Sequence, residues 1–570
     1  MNTSTRNILD RSFTALAYAS LAAMAAAVIL FLAPIIYNGV GAVVFNATVE
    51  HEKFLRENLD AELSESQAAR ITAADDARKP LYAMMAEYEN PAGAAALAEK
   101  LDAAFDSSVK SMGGYSDKIF AALKLGGAVR AEALRKVSLD FWKPYLDALG
   151  AAVDRSASDG TSIVLVDILK RQGERLGGVS RTEIAELSKI KKLGFSQKSA
   201  LRRNIGEVVS EKIAASVESL EVRNRAYETF RAGVAELLGA RSQMERESLK
   251  LMRQKYGQTR MDGAERVLRN SVMQIVVYGR DSNGAEFQRR VDSAEYFRGT
   301  PVEKMVSYIS ENFEKMLGAH MTVYLGFFTD NPYDANIFGG IFPMILGTFY
   351  LTFGAMLIAA PLGIIAAIYF AEYARGGKIT GILDMCVGTL AGVPSIVFGL
   401  FGLAFLINTV KISDSKSVLA GAMTLALLIL PTIIRSCQEA LKAVPQSYRE
   451  AALGLGAGKW TAICTVILPA ALPSMLTGII ISMGRAAGET APIIFTAATS
   501  TGAALALNEI FTQATPALPW NIYNICSEHE MAERVSHVQY GMVLTLVGIV
   551  LALNAVAIWL RARLQNKLKS

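Results

Sequence analysis

Cysteine is scarce in this chain: there are four in 570 residues, at positions 386, 437, 464 and 526. None falls between residues 49 and 331, so that long charged stretch has no disulfide framework and must fold on its own core. A nucleotide-cradling loop is also missing. The nearest approach, GLGAGKW at 454–460, has Leu453 where the first glycine should stand and Trp460 where Ser or Thr should follow the lysine. Any ATP-driven work done through this chain therefore needs a borrowed motor. His529, Glu533 and His537 have helical spacing, but no fourth ligand accompanies them and no metal centre or cofactor is expected. There is no internal repeat and no low-complexity linker. The charges of residues 204–256 are of mixed sign, which reads as a solvated face and not as a nucleic-acid site.

The most telling absence is of charge over long runs. Residues 12–49, 335–371, 385–410, 417–434, 460–484, 490–508 and 538–560 contain no Asp, Glu, Lys or Arg. A bilayer core is ~30 Å thick and takes ~20 apolar residues in a helix. Six spans are predicted, at 14–37, 341–370, 385–409, 417–434, 470–498 and 540–560. With 52% hydrophobic residues and a mean hydropathy of +0.28, the fold class is an all-α polytopic membrane protein. The first run is too long for the core of a signal peptide and is expected to stay as an anchor.

The net charge of +5 matters less than where the charges lie. Arg6 and Arg11 precede the first span, and Arg375 and Lys378 separate the second from the third. Arg435, Lys442, Arg449 and Lys459 separate the fourth from the fifth, and Arg561, Arg563, Lys567 and Lys569 follow the sixth. With six spans all four groups share one side, which the positive-inside rule makes cytoplasmic, together with both termini. Prolines and glycines inside the runs (Pro361, Gly363, Gly392, Pro394, Gly399, Pro431) are read as places for bends or close packing.

Four segments follow: 1–48 with the first span, an external domain at 49–331, a membrane core at 332–562 and a cytoplasmic tail at 563–570. The external domain is expected to be mainly helical with a minor sheet. Strands are predicted at 161–169 and 271–279, a turn at 281–284, and helix over most of 204–256. Ser180 and Glu183 suggest a capping box ahead of Ile184, Leu187 and Ile190. Nothing in this domain identifies a ligand, and a scaffold or docking module is the expectation.

Between the fourth and fifth runs lies a polar, glycine-rich stretch, 445–469, PQSYREAALGLGAGKWTAICTVILP. It reads as a short helix, with Ser447 and Glu450 placed for a capping box and Gly456 and Gly458 for its stop. Glu450 can offer a carboxylate to a partner's cation. Ala451 and Ala452 are small enough to let a partner approach the backbone. Within the fifth run, Arg485 and Glu489 are four apart and share a helix face, and Thr490 follows. Ionisable residues at membrane depth cost ~2.5–3.5 kcal/mol by insertion measurements and face a bundle interior or a wet path. The pair either meets an anionic substrate or ties helices together.

The pattern Glu450-Ala451-Ala452, three residues, Gly456, nine residues, then Val466-Ile467-Leu468-Pro469 resembles the EAA loop of ABC importer membrane subunits, with Val466 in place of Ile. From residue 326 on, GFFTDNP at 326–332, PLGIIAAIY at 361–369, PSIVFGLFG at 394–402, EALKAVP at 439–445 and GETAP at 488–492 resemble the PstA permeases of phosphate importers. The resemblance implies a type I importer core of the MetI-like fold in a bacterial inner membrane. It implies coupling through Glu450, Ala451, Ala452 and Gly456 to two copies of the ATPase PstB. It also implies a sister permease, PstC, a periplasmic phosphate-binding protein, and no covalent chemistry on this subunit. A permease for another oxyanion, the sister subunit itself, and a membrane sensor built on the external domain are the alternatives. Residues 107–269 match no pattern in this resemblance.

Overall fold

The computed structural model describes residues 3–91, 93–159, 162–280, 286–374, 377–529 and 531–569. The chain divides into two units: Met1–Phe45 with Thr322–Ser570, and Asn46–Met321.

In the first unit, among the described residues, five helices are long and apolar enough to cross a membrane: Phe13–Val40, Phe342–Tyr373, Val418–Lys442, Lys459–Gly488 and Ser536–Arg563. An apolar pair, Lys378–Ala391 and Ser395–Thr409, is bent by 103°; counted as one span it is the third of six. The bend in the span expected at 385–409 falls at Gly392 and Pro394, both read as places for one. Its cause is local: Pro394 disfavours helical geometry at the residue before it, and the first helix stops at Gly392. The fifth span, expected at 470–498, begins earlier and ends sooner. Its helix stops at Gly488, and a short helix, Ala491–Thr496, restarts after Glu489 and Thr490. Pro492 explains the break, since it has no N–H to continue the ladder and suits the first turn of a new helix. At the other end, a wide turn over Ile463–Ile467 absorbs Pro469, which cannot donate to the carbonyl one turn back.

The fourth span is central. Of its most apolar window 67% is buried, against 0% for the first span and 6% for the sixth. The fifth span closes on it where Gly478 meets Ser436: a Cβ on that glycine would lie 2.2 Å from the serine Cβ.

The second unit is helical with a small sheet. Its long helices are Glu65–Glu89, Ala94–Ser111, Gly127–Asp159, Ser162–Ile190, Phe195–Leu238 and Pro301–Leu317. One hairpin pairs Gln274–Arg280 with Glu286–Asp292, antiparallel, with Val276 opposite Arg290. The strand expected at 271–279 is therefore present, and the turn expected at 281–284 lies outside the described residues. The strand expected at 161–169 is a helix from Ser162 onward. Its β-branched run is overruled by a helical face: Leu165, Ile168, Leu169, Gln172 and Leu176 are all buried. Gln172 belongs there because Tyr145 donates to its amide oxygen at 2.7 Å and its amide nitrogen donates to Asp102 at 3.0 Å. The same helix runs straight through Ser180 and Glu183, so no capping box starts there. Aromatics fill two cores, one around Phe105, Phe141, Trp142 and Tyr145, the other around Tyr227, Phe230 and Phe297.

Where the ends of three helices meet the middle of Glu65–Glu89 in this unit lies a buried ion cluster. Glu50 Oε1 accepts from Arg78 at 2.6 Å and from Lys53 at 3.1 Å. Arg78 also donates to the carbonyls of Met316 at 2.8 Å and Leu238 at 3.3 Å. Burial alone would raise the Glu50 pKa, but the Arg78 and Lys53 charges outweigh it and hold the carboxyl below its usual range. His51, beside this cluster, is pushed down to about 4 by burial and by the nearby His320 and Arg260.

Candidate functional site: the EAA helix and its joints

The stretch 445–469 is a helix, Gln446–Gly454, a tight stop, and the start of the fifth span at Lys459. Pro445, extended at φ −54 and ψ 140, occupies the cap position, so the helix begins one residue ahead of Ser447. The capping box expected from Ser447 and Glu450 is absent for that reason. Gly456 does supply the stop: its φ is +81, a left-handed backbone that only glycine adopts without strain. A Cβ there would touch nothing within 4 Å, so the requirement is conformational and not one of space. Val466, Ile467, Leu468 and Pro469 are already inside the span.

Glu450 and Ala451 are exposed, whereas Ala452 is buried. Around them the surface is apolar: Tyr448, Leu453, Leu455 and Trp460 are at least half exposed, Leu455 at 91%. Such a patch next to a polar loop marks a surface for a protein partner.

Behind this surface the helix is anchored through Arg449, the residue preceding the Glu-Ala-Ala tripeptide. Its guanidinium donates to Glu372 Oε1 at 2.8 and 3.1 Å, to the Val444 carbonyl at 2.6 Å and to the Leu441 carbonyl at 2.7 Å. Glu372 ends the second span and Leu441 ends the fourth. One planar fork thus joins the EAA helix to the ends of two spans, with the Arg449 and Glu372 side chains 16% and 8% exposed. Lys459 lies 4.8 Å from the Tyr373 ring centre, a second tie to the same span end. Arg435 of the fourth span binds Asp384 of the broken third at 2.7 Å. None of these joints was singled out from the sequence. The available signal was that Glu372 directly closes one run free of charge while Arg449, of opposite charge, lies in the loop between two others.

Arg485, Glu489 and Thr490 are brought together at the break after the fifth span. Arg485 Nε donates to Glu489 Oε1 at 3.2 Å, although Glu489 is already extended and outside the helix. Thr490 precedes the short helix Ala491–Thr496, and its side chain does not cap it. The Arg485 side chain is 46% exposed and that of Glu489 20%, so the pair faces open space. A larger cavity, about 540 Å³, lies among the second, third and fourth spans. Its lining, including Leu362, Val397, Phe401, Leu427 and Leu430, is wholly apolar, so it is a poor host for an anion. His529 donates from Nε2 to the Ala335 carbonyl at 2.7 Å, and its Nδ1 accepts from the Met531 N–H at 3.0 Å.

These features match a known family. The family described as "Binding-protein-dependent transport system inner membrane component" matches residues 359–570, wholly within the first unit. The chain is 32% identical to a Bacillus subtilis (strain 168) protein named a probable ABC transporter permease, YqgI, over 40% of this chain and 80% of that one. It is 35% identical to the phosphate transport system permease protein PstA 1 of Mycobacterium tuberculosis (strain ATCC 25618 / H37Rv), over 39% of this chain and 70% of that one. To PstA of Haemophilus influenzae (strain ATCC 51907 / DSM 11121 / KW20 / Rd) it is 32% identical, over 34% and 71%. The chain belongs to this permease family. The permease is thus a multi-pass membrane protein of an ABC transporter, a system that includes an ATPase and a binding protein. Its second unit lies outside the residues that the family matches.

Proposed function

We propose that this permease is the PstA-type subunit of an ATP-driven phosphate importer and forms half of the translocation path. Two copies of the ATPase PstB drive it, PstC is its sister permease, and a periplasmic phosphate-binding protein supplies the anion. In this reading both termini and the EAA helix face the cytoplasm, and residues 49–331 face the periplasm. Glu450, Ala451, Ala452 and Gly456 form the contact with the motor. The single observation that carries the reading is the EAA helix itself: it is exposed and apolar on one side and locked to two spans on the other through Arg449. A load applied at Glu450 passes through that guanidinium to the ends of the second and fourth spans. Closure of the ATPases on ATP would then open the path outward, and hydrolysis would reset it inward.

Arg485, Glu489 and Thr490 belong to the path. Their exposure at a break in the fifth span supports a role in meeting the anion, because non-helical backbone at membrane depth is tolerated where it lines a cavity or is covered by protein. The permease supplies no ATPase site of its own.

The test is phosphate uptake by cells carrying the permease with its ATPase. Glu450→Lys is expected to reduce uptake to background while the subunit still reaches the membrane. Normal uptake by that variant removes the coupling role. Uptake of a different oxyanion in place of phosphate would keep the coupling and change the substrate.

A further inference from the structure

The fifth span, Lys459–Gly488, and the sixth, Ser536–Arg563, enclose a groove of about 400 Å³. Arg561 and Thr477 stand at one end, Ile481, Ile558 and Asn554 along the walls, and Val550 towards the other end. Arg561 is half-buried, and its Nη1 donates to Thr477 Oγ1 at 3.0 Å, which holds the guanidinium at the mouth. A guanidinium has five N–H donors, so this bond leaves others to bind an anion.

The two helices that form the groove carry charge of one sign. Neither of the helices that form it, Leu468–Gly488 and Ser536–Lys569, contains an Asp or a Glu. Arg563 lies just beyond Arg561, 5.3 Å from the centre of the Trp559 ring, and Trp559 is 57% exposed. An exposed tryptophan with arginines at the end of an apolar helix marks the level of the membrane–water interface. The length fits as well. From Val550 to Arg561 the helix rises ~16 Å, about the depth of one leaflet of a ~30 Å hydrocarbon core.

We propose that this groove is a binding site for one anionic glycerophospholipid. Its phosphate sits on Arg561 at the mouth, and one acyl chain lies along Ile481 and Ile558 towards Val550. The lipid fills the space between the two spans, and the bilayer supplies it without a separate entry path. A zwitterionic lipid fits the same groove but gains less from Arg561, so the site selects for negative charge.

The test uses the assembled transporter, purified in detergent and examined by native mass spectrometry with phosphatidylglycerol and phosphatidylethanolamine of matched chains added in equal amounts. One arginine beside an anionic headgroup favours it by about fivefold, and that is the expected excess of retained phosphatidylglycerol. Arg561→Gln is expected to abolish the preference and Arg561→Lys to keep it. Ile481→Trp, which fills the groove, should lower retention of both lipids. If Ile481→Trp fails to assemble, the two arginine variants carry the test. Equal retention of both lipids by the wild-type complex overturns the proposal, as does an undiminished preference in Arg561→Gln. Retention by the isolated chain but not by the complex also overturns it, because a partner subunit would then cover the groove.

Discussion

In the membrane unit two ion pairs join neighbouring elements, Arg449 of the EAA helix on Glu372 and Arg435 of the fourth span on Asp384. In the unit of residues 46–321 the most deeply buried pair, Arg78 on Glu50, lies where four helices converge. The contrast follows from what each unit buries. In an apolar span an ionised side chain is costly, so few are present and these two pairs sit between elements. There they join one helix to the next. In the second unit the buried Arg78 is held by two carbonyls and a carboxylate, which offsets much of the cost of burying its charge. The same chemistry therefore makes a mechanical joint in one unit and a structural knot in the other.

That contrast can be broken deliberately, and the largest effect is expected at the joint. Arg449→Ala leaves Glu372 nearly buried and unpaired, a loss on the order of 3–5 kcal/mol. Phosphate uptake should fall by more than tenfold, and ATP hydrolysed per phosphate moved should rise, which a loss of folded protein alone would not cause. The double variant with Glu372→Ala should do less harm than the two single effects added together. Unchanged stoichiometry in Arg449→Ala would reduce the joint to ordinary packing.

Next comes the knot. Arg78→Met is expected to destabilise the second unit by about 3–5 kcal/mol, because Glu50 is left charged and buried. Hydrogen exchange should rise across helices Val49–Asn58 and Glu65–Glu89 while the spans stay protected. Loss of protection in both units together would show that they do not fold independently. A smaller effect is expected from Arg485→Ala, a several-fold fall in uptake with no change in membrane insertion. Wild-type uptake would leave its pair with Glu489 merely structural.

The smallest effect at neutral pH belongs to His51. Its folded pKa, about 4, lies below the ordinary 6.5. The unfolded chain therefore takes up a proton as pH falls below about 6.5, while the folded one does not. Stability should drop by ~1.4 kcal/mol per pH unit down to about 4, roughly 3 kcal/mol in all. Glu50 adds a further loss only below its unfolded pKa, near 4.5, since its own folded pKa is lowered. His51→Gln should flatten the acid limb between about pH 6.5 and 4.5 and leave the region below it, which acid unfolding followed by circular dichroism would read. An unaltered limb would assign the slope to other groups.

What could be read in advance was of two kinds. Runs without charge placed the membrane helices to within eight residues at each end, except the fifth, which starts eleven earlier and stops ten sooner, because burying an unpaired charge in lipid is costly whatever the neighbours do. The Glu-Ala-Ala-to-Gly spacing placed a short helix and its stop, because a backbone at φ +81 calls for glycine locally. Caps were less legible. Ser447 had the right type and spacing, but Pro445 started the helix first. The run at 162–169 had strand composition, yet a helical face with Leu165, Ile168 and Leu169 decided its state through burial.

By itself the order of residues determined the class of protein, the approximate positions of its apolar helices and the glycine stop of its EAA helix, since each depends on contacts within a few residues or on the solvent alone. Only the folded chain decided that the third crossing bends by 103°, that Arg485 still reaches Glu489 past the end of its helix, and that Arg449 holds Glu372, 77 residues earlier. These depend on which helix lies beside which. That is set by the summed packing of many contacts, such as the close approach of Ser436 to Gly478, and no short stretch of sequence contains that sum.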